Sequence, residues 1–242
     1  MFGEMSLINF FLASPTMVVL AVCSIITVGF TIERVLYFSS TRTNAKKFMG
    51  ELASRFKKGN PQAALDYCSQ QKTPVARVMA QGITHMNRSR DELQQRLDTA
   101  IDLESVEMER NIGVLGTMSN IAPLLGLFGT VVGIIRAFAA IARTGSGGGA
   151  VVAMGVSEAL MTTAAGIVVA VIATVAFNYF VRQIRTRTAH LEDARESFFT
   201  IWSQYNQARK ATAQSRPAPA NPAQVETAKA ADFEESLSSI LS

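Results

Sequence analysis

Charge is scarce in this 242-residue sequence, and the shortage is local. Asp, Glu, Lys and Arg make up 17% of its residues against 48% hydrophobic ones. No charged residue occurs in residues 15–32 or 112–135, and residues 150–181 contain only Glu158. Each run has the ~20 apolar residues a helix needs to cross a bilayer. An ordinary water-soluble globular chain is excluded, and three transmembrane helices are expected at residues 15–38, 112–141 and 150–181.

The residues of metal and redox chemistry are equally sparse. Cys23 in the first span and Cys68 outside it form no CxxC pair, and His85 and His190 have no ligand spacing around them. No span carries a Ser/His pair, paired carboxylates or an HExxH arrangement, so neither an enzyme, a metal site nor a cofactor is expected. The glycine run at residues 143–149, RTGSGGG, lacks the Lys-Ser/Thr of a phosphate-binding loop. Residues 142–149 read instead as a flexible outer hairpin.

Basic residues are missing before Arg34, whereas Arg34, Arg42, Lys46, Lys47, Lys57 and Lys58 crowd the region after the first span. Arg182, Arg185 and Arg187 crowd the exit of the third. The positive-inside rule then puts residues 1–14 outside and both 39–111 and 182–213 in the cytoplasm. Without a basic n-region the first span reads as retained rather than as a cleaved signal peptide. These flanking charges also account for the net charge of +4 and the pI near 9.3, so no nucleic-acid partner is implied.

Residues 39–111 read as a cytoplasmic helical domain. Pro61 and Pro74 have the character of first-turn prolines, with Asn60 and Thr73 as N-caps. From Ser89 or Arg90 the apolar positions Leu93, Leu97, Ile101 and Val106 are helical, and nothing interrupts them before Ile112. One long helix running into the second span is the expectation, and residues 182–213 should likewise extend the third. From residue 214 the Ala, Pro, Gln and Ser composition cannot build a core and reads as a disordered tail. Its end places Phe233, Leu237 and Ile240 on one helical face.

Within the second span, Ser119, Pro123, Gly126, Thr130 and Ala137 fall in a narrow sector at ~100° per residue. Lipid offers nothing to hydroxyls, so this stripe should face protein or a water-filled path. Gly129 and Gly133 add a GxxxG spacing suited to close helix packing. In the third span Glu158, Thr162, Gly155 and Gly166 share one side, and Thr163, Thr174 and Asn178 another. An ionisable group at such a depth costs roughly 2.5–3.5 kcal/mol on insertion scales. Three roles for Glu158 stand open: an ion pair with Arg136, solvation at the outer interface, or a place in an ion path.

The segments APLLGLFGTVVGII at residues 122–135 and GVSEALMTTAAGIVVAV at residues 155–171 resemble the paired signatures of the MotA/TolQ/ExbB family of ion-driven membrane motors. Three spans with a large region between the first two resemble its ExbB/TolQ branch more than the four-span MotA branch. The resemblance implies an all-α membrane protein that assembles as a homo-pentameric pore in the bacterial inner membrane, set in membrane lipid. It further implies an ExbD/TolR-like single-span partner whose membrane-embedded Asp takes up the ion, a proton by default. Carried over by motif, Thr130, Glu158 and Thr163 match the family's pore-facing polar residues, with Thr162 a weaker match. Ser119, Pro123, Gly126, Gly129 and Gly133 would then face the pore or pack. Arg136 departs from the uncharged residue expected at its position. The implied function is a stator subunit that couples proton flow to mechanical work for envelope energy transduction or transport. The alternative is a passive scaffold that anchors a partner complex without ion flow.

Overall fold

The computed structural model describes residues 15–57, 60–144 and 149–214, and every regular element among them is a helix. In chain order these are α1 (Pro15–Ser40), α2 (Ala45–Lys57), α3 (Pro61–Ser69), α4 (Pro74–Thr84), α5 (Arg90–Glu109), α6 (Ile112–Thr144) and α7 (Gly149–Gln214). Stretches in α1, α6 and α7 are long and apolar enough to cross a membrane. The tail with Phe233, Leu237 and Ile240, the N-terminal residues 1–14 and most of the glycine-rich hairpin lie outside the described residues.

The short helices begin where local chemistry starts them. Asn44 and Asn60 accept from the amides of Lys47 and Ala63 through their side-chain carbonyls, at 3.2 and 3.1 Å. Ser89 accepts from the Glu92 amide at 3.3 Å. Pro61 and Pro74 occupy first turns, where a missing N–H costs nothing. Thr73 takes the N-cap position of α4 with extended backbone, but its hydroxyl does not cap the helix.

The expected continuous helix from residue 90 into the second span is not formed. α5 ends at Glu109, Arg110 turns extended, and Asn111 adopts φ 65°, so α6 starts afresh at Ile112. Asn enters this left-handed region more readily than most residues because its short polar side chain bonds locally. Here it lies beside the Glu33 carboxylate of α1.

α7 is unbroken for 66 residues, ~100 Å at 1.5 Å per residue. Beyond its apolar half, Phe180, Ile184, Leu191, Ala194 and Phe198 recur at helical spacing and are buried. Against that stripe pack Leu52 and Phe56 of α2, Val78 and Met79 of α4, and Leu93 and Leu97 of α5. Gly82 of α4 allows close approach, since a β-carbon there would stand 2.9 Å from the Phe198 ring. Polar links fix the register: Trp202 donates to the Met86 carbonyl at 2.8 Å, Arg77 pairs with Glu104, and Arg195 pairs with Asp98.

Cys68 is buried in this core, and burial pushes its thiol up to about 12. It stays protonated and inert at neutral pH. The linked stability is fully present below the unfolded thiol's ~8.5 and is lost as pH climbs from there through the folded value.

Truncation of the central ring, Phe198→Ala, is expected to destabilise the helical bundle by about 3–5 kcal/mol. Limited proteolysis within residues 45–109 during denaturant titration measures this, with the wild-type protein as reference.

Candidate functional site

α6 and α7 form an antiparallel hairpin whose seam is built from small residues. A β-carbon added at Gly133 would stand 2.8 Å from Ala159 Cβ, and one at Gly155 would stand 2.7 Å from Ala137 Cβ. Further along, Gly126 faces the Thr163 backbone, with a β-carbon 3.1 Å from its Cα. Gly166 lies so near Ala122 that its β-carbon would stand 2.6 Å from that residue's carbonyl oxygen. Backbones this close gain dispersion contacts along their whole length, the chief means by which helices associate in lipid.

One hydroxyl crosses the seam: Thr163 donates through Oγ1 to the Gly126 carbonyl at 2.9 Å. The absent side chain at Gly126 is what leaves that carbonyl within reach. Thr162, the preceding residue, turns to the other edge of the seam. It is 1% exposed, packs onto Gly129, and donates to the Glu158 carbonyl at 3.0 Å.

α1 closes that second edge. Met17, Leu20 and Cys23 form a buried cluster with Ala122 of α6 and Val169 and Ala170 of α7. Thr16 reaches the place a β-carbon at Gly129 would take, at 3.2 Å. Thr16 is a member of this junction that the sequence pattern did not single out; its position at the head of an apolar run resembles an ordinary cap. The small residues Gly155, Ala159 and Gly166 did carry a readable signal in their near-fourfold spacing.

The sequence-predicted site residues therefore divide. Gly126, Gly129 and Gly133 pack within the hairpin, as do Gly155, Gly166 and Ala137. Ser119, Pro123 and Thr130 are half-buried on the α6 face adjoining Gly126. Ser119 and Thr130 donate back to the Gly116 and Leu127 carbonyls of their own helix, at 2.7 and 2.6 Å. Each hydroxyl is thus satisfied in apolar surroundings while its oxygen still accepts.

Glu158 is half-buried and stands one turn before Thr162. Thr163 lies ~140° around the helix from it. Among the described residues no ion pair joins Glu158 to Arg136, whose side chain is exposed. The intrachain salt bridge is not formed, which leaves solvation or an ion path for this carboxylate. No group of three or more potential metal ligands occurs among the described residues.

The outward faces are bulky and apolar: Leu124, Leu127, Phe128 and Phe138 on α6, and Leu160, Val168 and Val175 on α7, all largely exposed. Such surfaces call for lipid or further helices. A multi-pass helical membrane protein is the class this fold defines, organised around a close-packed hairpin with hydroxyls and one carboxylate at its edges. The profile of the MotA/TolQ/ExbB proton channel family matches residues 70–193. The chain belongs to that family, on its ExbB-like branch.

Relatives carry the same description. The biopolymer transport protein ExbB of Pseudomonas putida is 32% identical over 187 residues, covering 74% of this chain and 56% of that protein. A putative ExbB homolog from Methanothermobacter thermautotrophicus is 29% identical over 154 residues, 63% of this chain and 54% of its own length. The Salmonella typhimurium ExbB is 45% identical over 98 residues, 40% of each chain. The match thus spans about half the length of these relatives.

Enlarging one seam residue tests the packing. Gly166→Ala presses on the backbone of Ala122 and Gly126 and is expected to lower stability by about 1–3 kcal/mol. Gly113→Ala, which meets nothing within 4 Å, should leave it unchanged. Thermal aggregation of the detergent-solubilised protein, followed by size exclusion, separates the two.

Proposed function

We propose that this chain is the pore-forming stator subunit of an ion-motive-force-driven motor in a bacterial inner membrane. Five copies surround the membrane helices of an ExbD/TolR-like partner and couple proton flow to its movement, powering envelope energy transduction or transport. Residues 15–38, 112–141 and 150–181 cross the bilayer. Residues 1–14 and the 142–149 hairpin lie outside, while 39–111 and everything from 182 onward lie in the cytoplasm.

The observation that carries this reading is Glu158. It is half-buried in an apolar helix with no ion pair among the described residues, while Thr163, ~140° around the same helix, bonds across the seam to Gly126. A solitary carboxylate at that depth is costly unless it serves ion movement. The separation of Glu158 and Thr163 around the helix supports a path completed by several copies rather than by one. A cation entering from outside is drawn by the ring of Glu158 carboxylates and passes Thr130 and Thr163 to the partner's Asp. Neutralising that Asp changes which wall contacts the partner prefers. Each charge crossing supplies ~2.3 kcal/mol per 100 mV, enough to bias a step between nearly equivalent positions around the ring. Thr162, buried against Gly129, supports the wall rather than the path.

Glu158→Ala and Thr130→Val are each expected to abolish energy coupling while the complex still assembles. Energised uptake or envelope-integrity assays, paired with co-purification of the partner, read both halves. Normal coupling in both variants would overturn the assignment and favour a passive scaffold.

Reconstituted without its partner, the chain is expected to conduct protons poorly, because its apolar faces close on themselves or fill with lipid. Pyranine-loaded liposomes report the flux; rapid partner-free acidification would contradict the proposed architecture.

A further inference from the structure

Where α1 and α7 emerge from their apolar stretches, they enclose a cavity of ≈ 480 Å³ together with the start of α4. Arg42, Arg187 and His190 contribute to its wall, and no Asp or Glu does so. Arg187 is held by neutral partners. It donates to Thr41 Oγ1 at 2.7 Å and to the Phe38 carbonyl at 2.5 Å, and its guanidinium lies 4.6 Å from the Phe38 ring centre. Burial pushes its pKa down, and the nearby Arg42 adds to the same effect. Two guanidiniums therefore share a recess in which, among the described residues, neither has an acidic partner. Thr73 lines the same recess, and its hydroxyl oxygen, buried yet without a hydrogen-bond partner, is the one that fails to cap α4.

The opposite end of the recess is apolar. Val35 and Tyr179 line it, and the exposed faces continue through Ile32 on α1 and Val175 on α7. A polar, cation-lined pocket thus sits directly at the end of an exposed apolar groove, at the depth where two membrane-length helices become charged.

We propose that this cavity holds the phosphodiester headgroup of an anionic phospholipid, whose acyl chains lie along Ile32 and Val35 of α1 and Val175 and Tyr179 of α7. Arg42 and Arg187 supply the charge. A zwitterionic headgroup fits less well, because its ammonium finds no carboxylate in the wall. Free phosphate would satisfy the cations but leave the groove unused. The lipid belongs to the leaflet on the side of α2–α5, and its phosphate links α1 to α7 where neither has an acidic partner to offer.

The test uses the full chain, delipidated in mild detergent, with phosphatidylglycerol, phosphatidylcholine and inorganic phosphate titrated separately under native mass spectrometry. Phosphatidylglycerol should be retained preferentially, and Arg42→Gln should reduce its retention about fivefold, the effect of one basic side chain near an anionic lipid. Arg187→Gln should reduce it further. Because Arg187 also ties α7 to α1, Arg42→Gln decides the matter if that variant does not fold. Equal retention of the two lipids would overturn the proposal. So would undiminished phosphatidylglycerol binding in Arg42→Gln, the result expected if a carboxylate from a neighbouring copy fills the recess. Binding of inorganic phosphate without retention of phosphatidylglycerol would overturn the lipid assignment as well.

Discussion

The close seam between α6 and α7 is the contact on which the membrane-length part of this protein depends. In lipid there is no hydrophobic gain from bringing two apolar helices together, so association rests on packing and on hydrogen bonds. Glycine or alanine at residues 126, 133, 137, 155, 159 and 166 lets the backbones meet. That proximity brings the Thr163 hydroxyl to the Gly126 carbonyl, and it cuts the groove into which α1 sets Met17, Leu20 and Cys23. The bulky side chains are left facing outward.

α7 joins this seam to the rest of the molecule. The same uninterrupted helix presents Glu158 and Thr163 at one end and, ~60 Å further along, Phe198 in the helical core of α2–α5. α6 has no such continuity, because the chain turns at Asn111 before reaching α5. α7 therefore runs unbroken from the membrane-length part into the bundle. Arg187 and its contacts to Thr41 and Phe38 add a lateral tie to α1 partway along.

Much of this was legible beforehand, and the misreadings have physical causes. Uncharged runs identify membrane-length helices because burying a charge in lipid is costly, and Asn60 with Pro61 marks a helix start by local bonding alone. The helix expected to continue through Arg110 and Asn111 breaks where Asn111 takes left-handed backbone, which its short polar side chain tolerates better than most. Thr73 has the right residue type and backbone for a cap, yet its hydroxyl is buried without a hydrogen-bond partner. Gly155 and Gly166 share a helical side with Glu158, and the structure packs both against α6. A periodicity specifies a face, and the neighbour that covers the face is a separate fact.

By itself the sequence determined the helical class, the three membrane-length segments, the solitary carboxylate and the motifs of the MotA/TolQ/ExbB family. These follow from composition and short-range order, which need no partner to act. Tertiary structure alone decided that Thr162 is buried while Thr163 bonds across the seam, although the two are adjacent in an identical local context. It also gathered Arg42, Thr73 and Arg187 around one acid-free cavity. Both outcomes depend on which backbones approach closely enough to exclude side chains, and that distance is set by pairs of residues remote along the chain.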